Sequence, residues 1–151
     1  MHWQGVPISM LLTREYANQH PDIYRELFRS MQCWLDKSPT EAHLALAKAG
    51  LPIVTENIDR LHQKAGSPKV VELHGNLKDG LVLLDDPVRN WDKAIRIIDG
   101  ATHLLVVGCS LKVKPAGDIP KLAGEKGLLV DTINEAADER VMQWLKNNKL
   151  L

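Results

Sequence analysis

The chain has 151 residues with 19 Lys+Arg against 19 Asp+Glu, a formal net charge of +0, so no surplus of positive charge exists to neutralise the phosphates of a nucleic-acid partner. Hydrophobic residues at 44% and charged residues at 25% match the globular average of roughly 45–50% and 25%, which excludes a disordered tail and fits one domain of ordinary size. The two cysteines, Cys33 and Cys109, make neither a disulfide framework nor a Cys-x-x-Cys half-site for zinc, and no basic segment followed by an apolar run opens the chain. The expectation is a cytoplasmic protein with no metal and no membrane partner.

Residues 8–49 carry apolar residues at helical spacing: Leu11 and Leu12, Tyr16, Ile23 and Tyr24, Leu27 and Phe28, then Met31, Trp34 and Leu35. Ser38-Pro39-Thr40-Glu41 reads as a helix start, with Ser38 as cap, Pro39 at the first helical position and Glu41 reaching back; the helix then runs to Gly50. From residue 51 the texture changes. Short apolar runs at Leu51–Thr55, Lys69–Leu73, Leu81–Leu84, His103–Val107 and Leu128–Ile133 predict strands. Helices are predicted between or after them at about Ile58–Ala65, Trp91–Asp99, Ala116–Glu125 and Ala136–Asn147. Strands alternating with amphipathic helices predict an α/β fold with a Rossmann-like parallel sheet and flanking helices. Residues 1–151 form one domain in this reading, a mainly helical part to residue 50 and a Rossmann-like part from 51.

In such a sheet ligands gather at the carboxyl ends of the strands. Here those ends lead into Glu56-Asn57-Ile58-Asp59, His74-Gly75-Asn76, Gly108-Cys109-Ser110 and Asn134. Gly108 permits close backbone approach, Ser110 offers a hydroxyl, and Asn57 and Asp59 suit sugar hydroxyls. Strand-end caps and turns account for such short runs equally well.

Taken in order, Thr55-Glu56-Asn57-Ile58-Asp59-Arg60-Leu61-His62, Ala65-Gly66-Ser67, Val71-Glu72-Leu73-His74-Gly75 and Gly108-Cys109-Ser110-Leu111-Lys112-Val113-Lys114-Pro115-Ala116 resemble the sirtuin family of NAD-dependent protein deacylases. Ala42–Ala47 is similar to the helix before the family's TQNIDGLH segment, and Ile133-Asn134 to its late ribose-contacting asparagine. The resemblance implies His74 as catalytic base, with Asn57 and Asp59 lining the nicotinamide and ribose pocket. It implies Thr55, Asn57, Asp59, Gly108, Cys109, Ser110 and Asn134 around NAD as co-substrate. It implies an acyl-lysine protein or peptide clamped as an added strand between Leu83–Pro87 and Lys112–Pro115, through Leu83, Leu84 and Val113. The implied reaction moves the acyl group from lysine to ADP-ribose and releases nicotinamide. An imidazole with an unperturbed pKa of about 6.5 suits the proton transfer.

Departures from the family pattern set further expectations. No GAGxS loop or GIPDFRG-like segment is present; Trp3, Gly5 and Pro7 look like the stretch beyond them, so the expected fold is truncated at the first strand-helix unit. Without that strand, the remaining strands close up, another chain such as a second copy completes the sheet, or the fold is only marginally stable. Only Gly75–Gly80 separates His74 from the run at Leu81, so the zinc module is expected to be absent. Glu56 replaces the usual Gln, Arg60 a Gly and Cys109 a Thr, and Glu56 either opposes pyrophosphate or pairs with Arg60. The alternative readings are a catalytically impaired remnant or binding module, and an NAD hydrolase or ADP-ribosyltransferase. His43 and His103 read as packing or surface residues, His62 as a structural partner in its helix, Cys109 as a small buried hydrophobe, and Trp34, Trp91 and Trp144 as core anchors.

Overall fold

The computed structural model describes residues 2–151; Met1 lies outside the described residues. A two-residue hairpin, β1 (His2–Trp3) with β2 (Val6–Pro7), leads into α1 (Ile8–Leu11), α2 (Arg14–Gln19) and α3 (Pro21–Met31). Thr13 caps α2 by accepting the Tyr16 N–H at 3.2 Å, and Pro21 opens α3 where its missing N–H costs nothing. A 3₁₀ turn at Gln32–Asp36 ends this helical part.

Helix α4 (Glu41–Lys48) starts later than the Ser38-Pro39 signal predicts. Thr40 occupies the cap position, its backbone N–H donating to His43 Nδ1 at 3.3 Å, and Asp138 accepts the Ala42 N–H at 2.8 Å. A side chain 96 residues away thus satisfies one of the orphan donors of the first turn, which local sequence cannot reveal.

The chain then alternates through β3 (Ile53–Thr55), α5 (Leu61–Lys64), β4 (Val70–Glu72), β5 (Gly75–Asn76), β6 (Gly80–Leu81), α6 (Trp91–Asp99), β7 (His103–Val107), a 3₁₀ turn (Ala116–Asp118), α7 (Ile119–Glu125), β8 (Leu129–Ile133) and α8 (Ala137–Asn147). β3 pairs with β4 and β7 with β8, both in parallel; β5 and β6 form a small antiparallel bridge. The expected single parallel sheet is therefore two parallel pairs among the described residues, and each of β3 and β7 keeps one edge unpaired.

Alternation along the strands shows how the layers are built. Val54 and Leu104 pack with Val71, Leu73, α6 and α7, whereas Ile53, Leu105, Val107 and Ile133 pack with α4 and α8. Both parallel pairs are thus held between the same two helical layers, the three-layer arrangement that covers a parallel sheet on both faces. A third cluster, Leu11, Tyr16, Leu27, Met31 and Leu77, ties the N-terminal helices to the turn after β5.

The run Leu81–Leu84 is not a parallel strand: only Leu81 belongs to β6. Val82 donates its N–H to His74 O and Leu84 its N–H to Leu12 O, both at 2.8 Å, so the segment is tied to the loop after β4 and to α1. Gly75 is required where β5 meets β6, because its φ is +68° and a Cβ there would stand 2.2 Å from Gly80 O. No helix among the described residues is long and apolar enough to cross a membrane.

Candidate active site

Three loops at the carboxyl ends of β3, β4 and β7 converge. The loop after β3 starts from Thr55, whose buried hydroxyl accepts the Asn57 N–H at 3.0 Å, and ends at Asp59, whose carboxylate accepts the Leu61 N–H at 3.0 Å at the start of α5. Two side-chain turns therefore fix Glu56, Asn57 and Asp59 in place. Arg60 follows with φ +63°, a left-handed conformation that the family's glycine adopts without steric cost.

Glu56, Asn57, Ile58 and Asp59 face His74, Leu81, Val82 and Leu84 across a cleft of about 270 Å³, with Leu12 and Trp34 completing its wall. The sequence reading of Trp34 as a core anchor is corrected: it is 44% exposed and lines this cleft. Leu83 is 1% exposed and packs inward, so of the Leu83–Leu84 pair only Leu84 lines the cleft.

The cleft's polar centre is a chain of three groups. His74 Nε2 lies 3.4 Å from Glu56 Oε1, and the Cys109 thiol donates to Glu56 Oε2 at 3.2 Å. The hydrogen bond with His74 holds the Glu56 carboxyl below its usual range, while burial pushes the Cys109 thiol up. The expected pairing of Glu56 with Arg60 is corrected: Arg60 reaches instead toward Asp79, at 3.8 Å. Cys109, read as a small buried hydrophobe, is a partly exposed hydrogen-bond donor.

The loop after β7 carries Gly108, Cys109 and Ser110. Gly108 has φ +61° and donates its N–H to Ile133 O at 2.8 Å, which ties the loop to the end of β8. The Ser110 hydroxyl accepts the Lys112 N–H at 3.4 Å. Val113 is exposed on the following loop, and Asn134 is exposed directly after β8; neither lines the cleft around His74. His74, Asn57 and Asp59 are thus brought into one cleft, with Cys109 bonded to its wall.

Where a longer connection would separate the strands, a compact polar turn stands. Asn76, 3% exposed, donates to Glu72 Oε2 at 2.6 Å and Asp79 Oδ2 at 3.1 Å, and its carbonyl accepts the N–H groups of Lys78 and Asp79 at 2.9 and 2.8 Å. Gln63 donates to the other oxygen of Glu72 at 2.6 Å. Among the described residues no His, Cys, Asp and Glu cluster has the geometry of a metal site. A single buried amide with all its donors and acceptors engaged organises this turn.

Sequence reasoning missed the contact between His43 and His62. Their rings lie 4.6 Å apart at an angle of 51°, joining α4 to α5. His62 Nδ1 is buried with no hydrogen-bond partner among the described residues, and burial, then the neighbouring His43, lowers the His62 pKa to about 4. The sequence carries no signal for this pairing, because the two positions are 19 residues apart on different helices.

Comparison with known proteins identifies the fold. The solved structure of a Sir2 homologue in complex with NAD superposes with a TM-score of 0.88 at 20% identity, covering 99% of this chain and 81% of that one. A structure of Sir2 bound to acetylated peptide gives 0.83 at 22% identity, with 93% and 84% covered. The architecture is therefore the sirtuin fold. The Sir2 family model matches residues 6–80. An NAD-dependent protein deacetylase of Sulfurisphaera tokodaii is 35% identical over 159 residues, covering 78% of this chain and 64% of the relative. One from Caldivirga maquilingensis is 32% identical over 170 residues, covering 82% and 65%. The chain is thus similar to the Sir2 family, most directly over residues 6–80, and it spans about two thirds of the length of these relatives.

Proposed function

We propose that the protein is an NAD-dependent protein-lysine deacylase of sirtuin type, passing the acyl group of a modified lysine to ADP-ribose with release of nicotinamide. The observation that carries this reading is the convergence of His74 from the end of β4 with Asn57 and Asp59 from the end of β3 in one cleft.

The residues present fit the ribosyl half of the dinucleotide. The Asn57 amide and Asp59 carboxylate match vicinal hydroxyls, and the apolar wall of Leu12, Ile58 and Leu81 suits a flat heteroaromatic ring. Glu56 and Asp59 make the cleft acidic, which favours a cationic ring over a diphosphate. When bound, NAD supplies an activated glycosidic carbon from which nicotinamide departs. In this reading Thr55 and Asp59 hold the loop through their turns, Asn57 orients the ribose, and His74 takes a proton from a ribose hydroxyl. Gly108, Ser110 and Asn134 serve the more distant part of the dinucleotide, and Leu84 and Val113 contact the acyl-lysine chain. The two free cysteines, one of them exposed, fit a reducing cytoplasmic setting. The unpaired edges of β3 and β7 support completion of the sheet by a further strand, including one from a second copy.

The test is mass spectrometry of an acetyl-lysine peptide incubated with protein and NAD. The reading expects NAD-dependent loss of the acetyl group from the peptide and its appearance on ADP-ribose. Release of free ADP-ribose with the peptide unchanged would replace deacylation with NAD hydrolysis, and transfer of ADP-ribose to the peptide or protein would replace it with ADP-ribosylation.

A further inference from the structure

Glu56 stands where the family pattern has glutamine, and its two oxygens have different partners: His74 Nε2 at 3.4 Å and Cys109 Sγ at 3.2 Å. The pair with His74 is shielded, the side chains being 15% and 27% exposed. An ionised carboxylate offers lone pairs only, whereas a carboxamide both donates and accepts. The His74 hydrogen bond keeps Glu56 ionised at neutral pH, and Cys109, its thiol pushed up by burial, keeps its proton to donate. Both neighbours of Glu56 must then be donors. Neutral His74 has one N–H to give, so its proton sits on Nε2 and Nδ1 carries the lone pair.

We propose that Glu56 is a positioning residue that fixes the orientation and the Nε2–H tautomer of His74, with Cys109 as its second anchor, so that Nδ1 is the nitrogen free to take a proton. This assignment rests on the reading of His74 as the catalytic base. It gives a physical reason for the departure from glutamine: a residue that only accepts selects one tautomer, and a carboxamide does not. Cys109 holds the second carboxylate oxygen, which limits rotation of the Glu56 head group.

The experiment is ¹⁵N-edited NMR of the imidazole nitrogens in the full chain without NAD, at a pH where His74 is neutral, combined with steady-state kinetics on an acetyl-lysine peptide. The wild type is expected to show a single Nε2–H tautomer for His74. Glu56→Gln, nearly isosteric, is expected to give a tautomer mixture and to lower kcat about tenfold with the KM for NAD within about twofold. Cys109→Ala is expected to loosen the tautomer preference and Cys109→Ser, which keeps a donor, to restore it. Thermal melts verify that each variant is folded; should Glu56→Gln not fold, the two Cys109 variants carry the tautomer test.

An unchanged His74 tautomer in Glu56→Gln, or in Cys109→Ala where Glu56→Gln does not fold, overturns the proposal. So does a changed tautomer with unchanged kcat. A wild type that deacylates nothing removes the proposed function, while the tautomer spectra still decide whether Glu56 holds His74.

Discussion

Lowering the pH from 7 to 5 is expected to destabilise the protein through His62. Its ring packs against His43, its Nδ1 is buried without a partner among the described residues, and its pKa is lowered to about 4 by burial first and His43 second. Because the folded-state value lies below the unfolded value of about 6.5, the unfolded chain takes up a proton that the native state refuses. Stability from this group is thus complete above pH 6.5, falls as pH drops toward 4, and levels off below it. The full shift corresponds to a ceiling of about 3 kcal/mol at 1.36 kcal/mol per pKa unit. The ring is only partly buried, so solvent screening reduces the expected loss to about 1–2 kcal/mol at pH 5. Urea denaturation of the wild type and of His62→Gln at both pH values measures it, with the carboxylate contribution common to both chains. The wild type should lose about 1–2 kcal/mol more than the variant between pH 7 and 5. Equal losses in the two proteins would refute the argument.

Three further substitutions probe the parts that position the cleft. Asn76→Ala removes the four hydrogen bonds of the buried Asn76 amide within the turn from Asn76 to Asp79 and should cost about 1–3 kcal/mol in chemical denaturation, since Glu72 Oε2 and the Lys78 and Asp79 N–H groups lose their partner. Gly75→Ala places a methyl group 2.2 Å from Gly80 O in a left-handed backbone, so the midpoint of thermal unfolding should fall and the His74 resonances should shift. Leu145→Ala empties a fully buried site between α8 and α4 and should cost about 2–4 kcal/mol, with little change in ligand binding because it is remote from the cleft.

Strong local patterns carried most of the fold. Trp91–Asp99 and His103–Val107 are found with the predicted bounds, because Ala94 and Ile98 lie one turn apart and Gly100 follows, while five consecutive apolar or half-buried residues fill β7. Elements set by distant partners were not legible. Thr40 rather than Ser38 caps α4 because His43 and Asp138 supply its hydrogen bonds. Leu81–Leu84 reads as a strand by composition but is held by His74 and Leu12 carbonyls. In the cleft, His74, Asn57 and Asp59 were legible through the ordered motifs. The partners of Glu56 were not, since Cys109 lies 53 residues further on and only folding brings them together.

The most direct measurement is nicotinamide release from NAD by the purified protein, with and without an acetyl-lysine peptide, for the wild type and His74→Ala. The account predicts release that depends on the peptide and collapses in the variant. Release that is independent of the peptide, or that survives loss of His74, would contradict it.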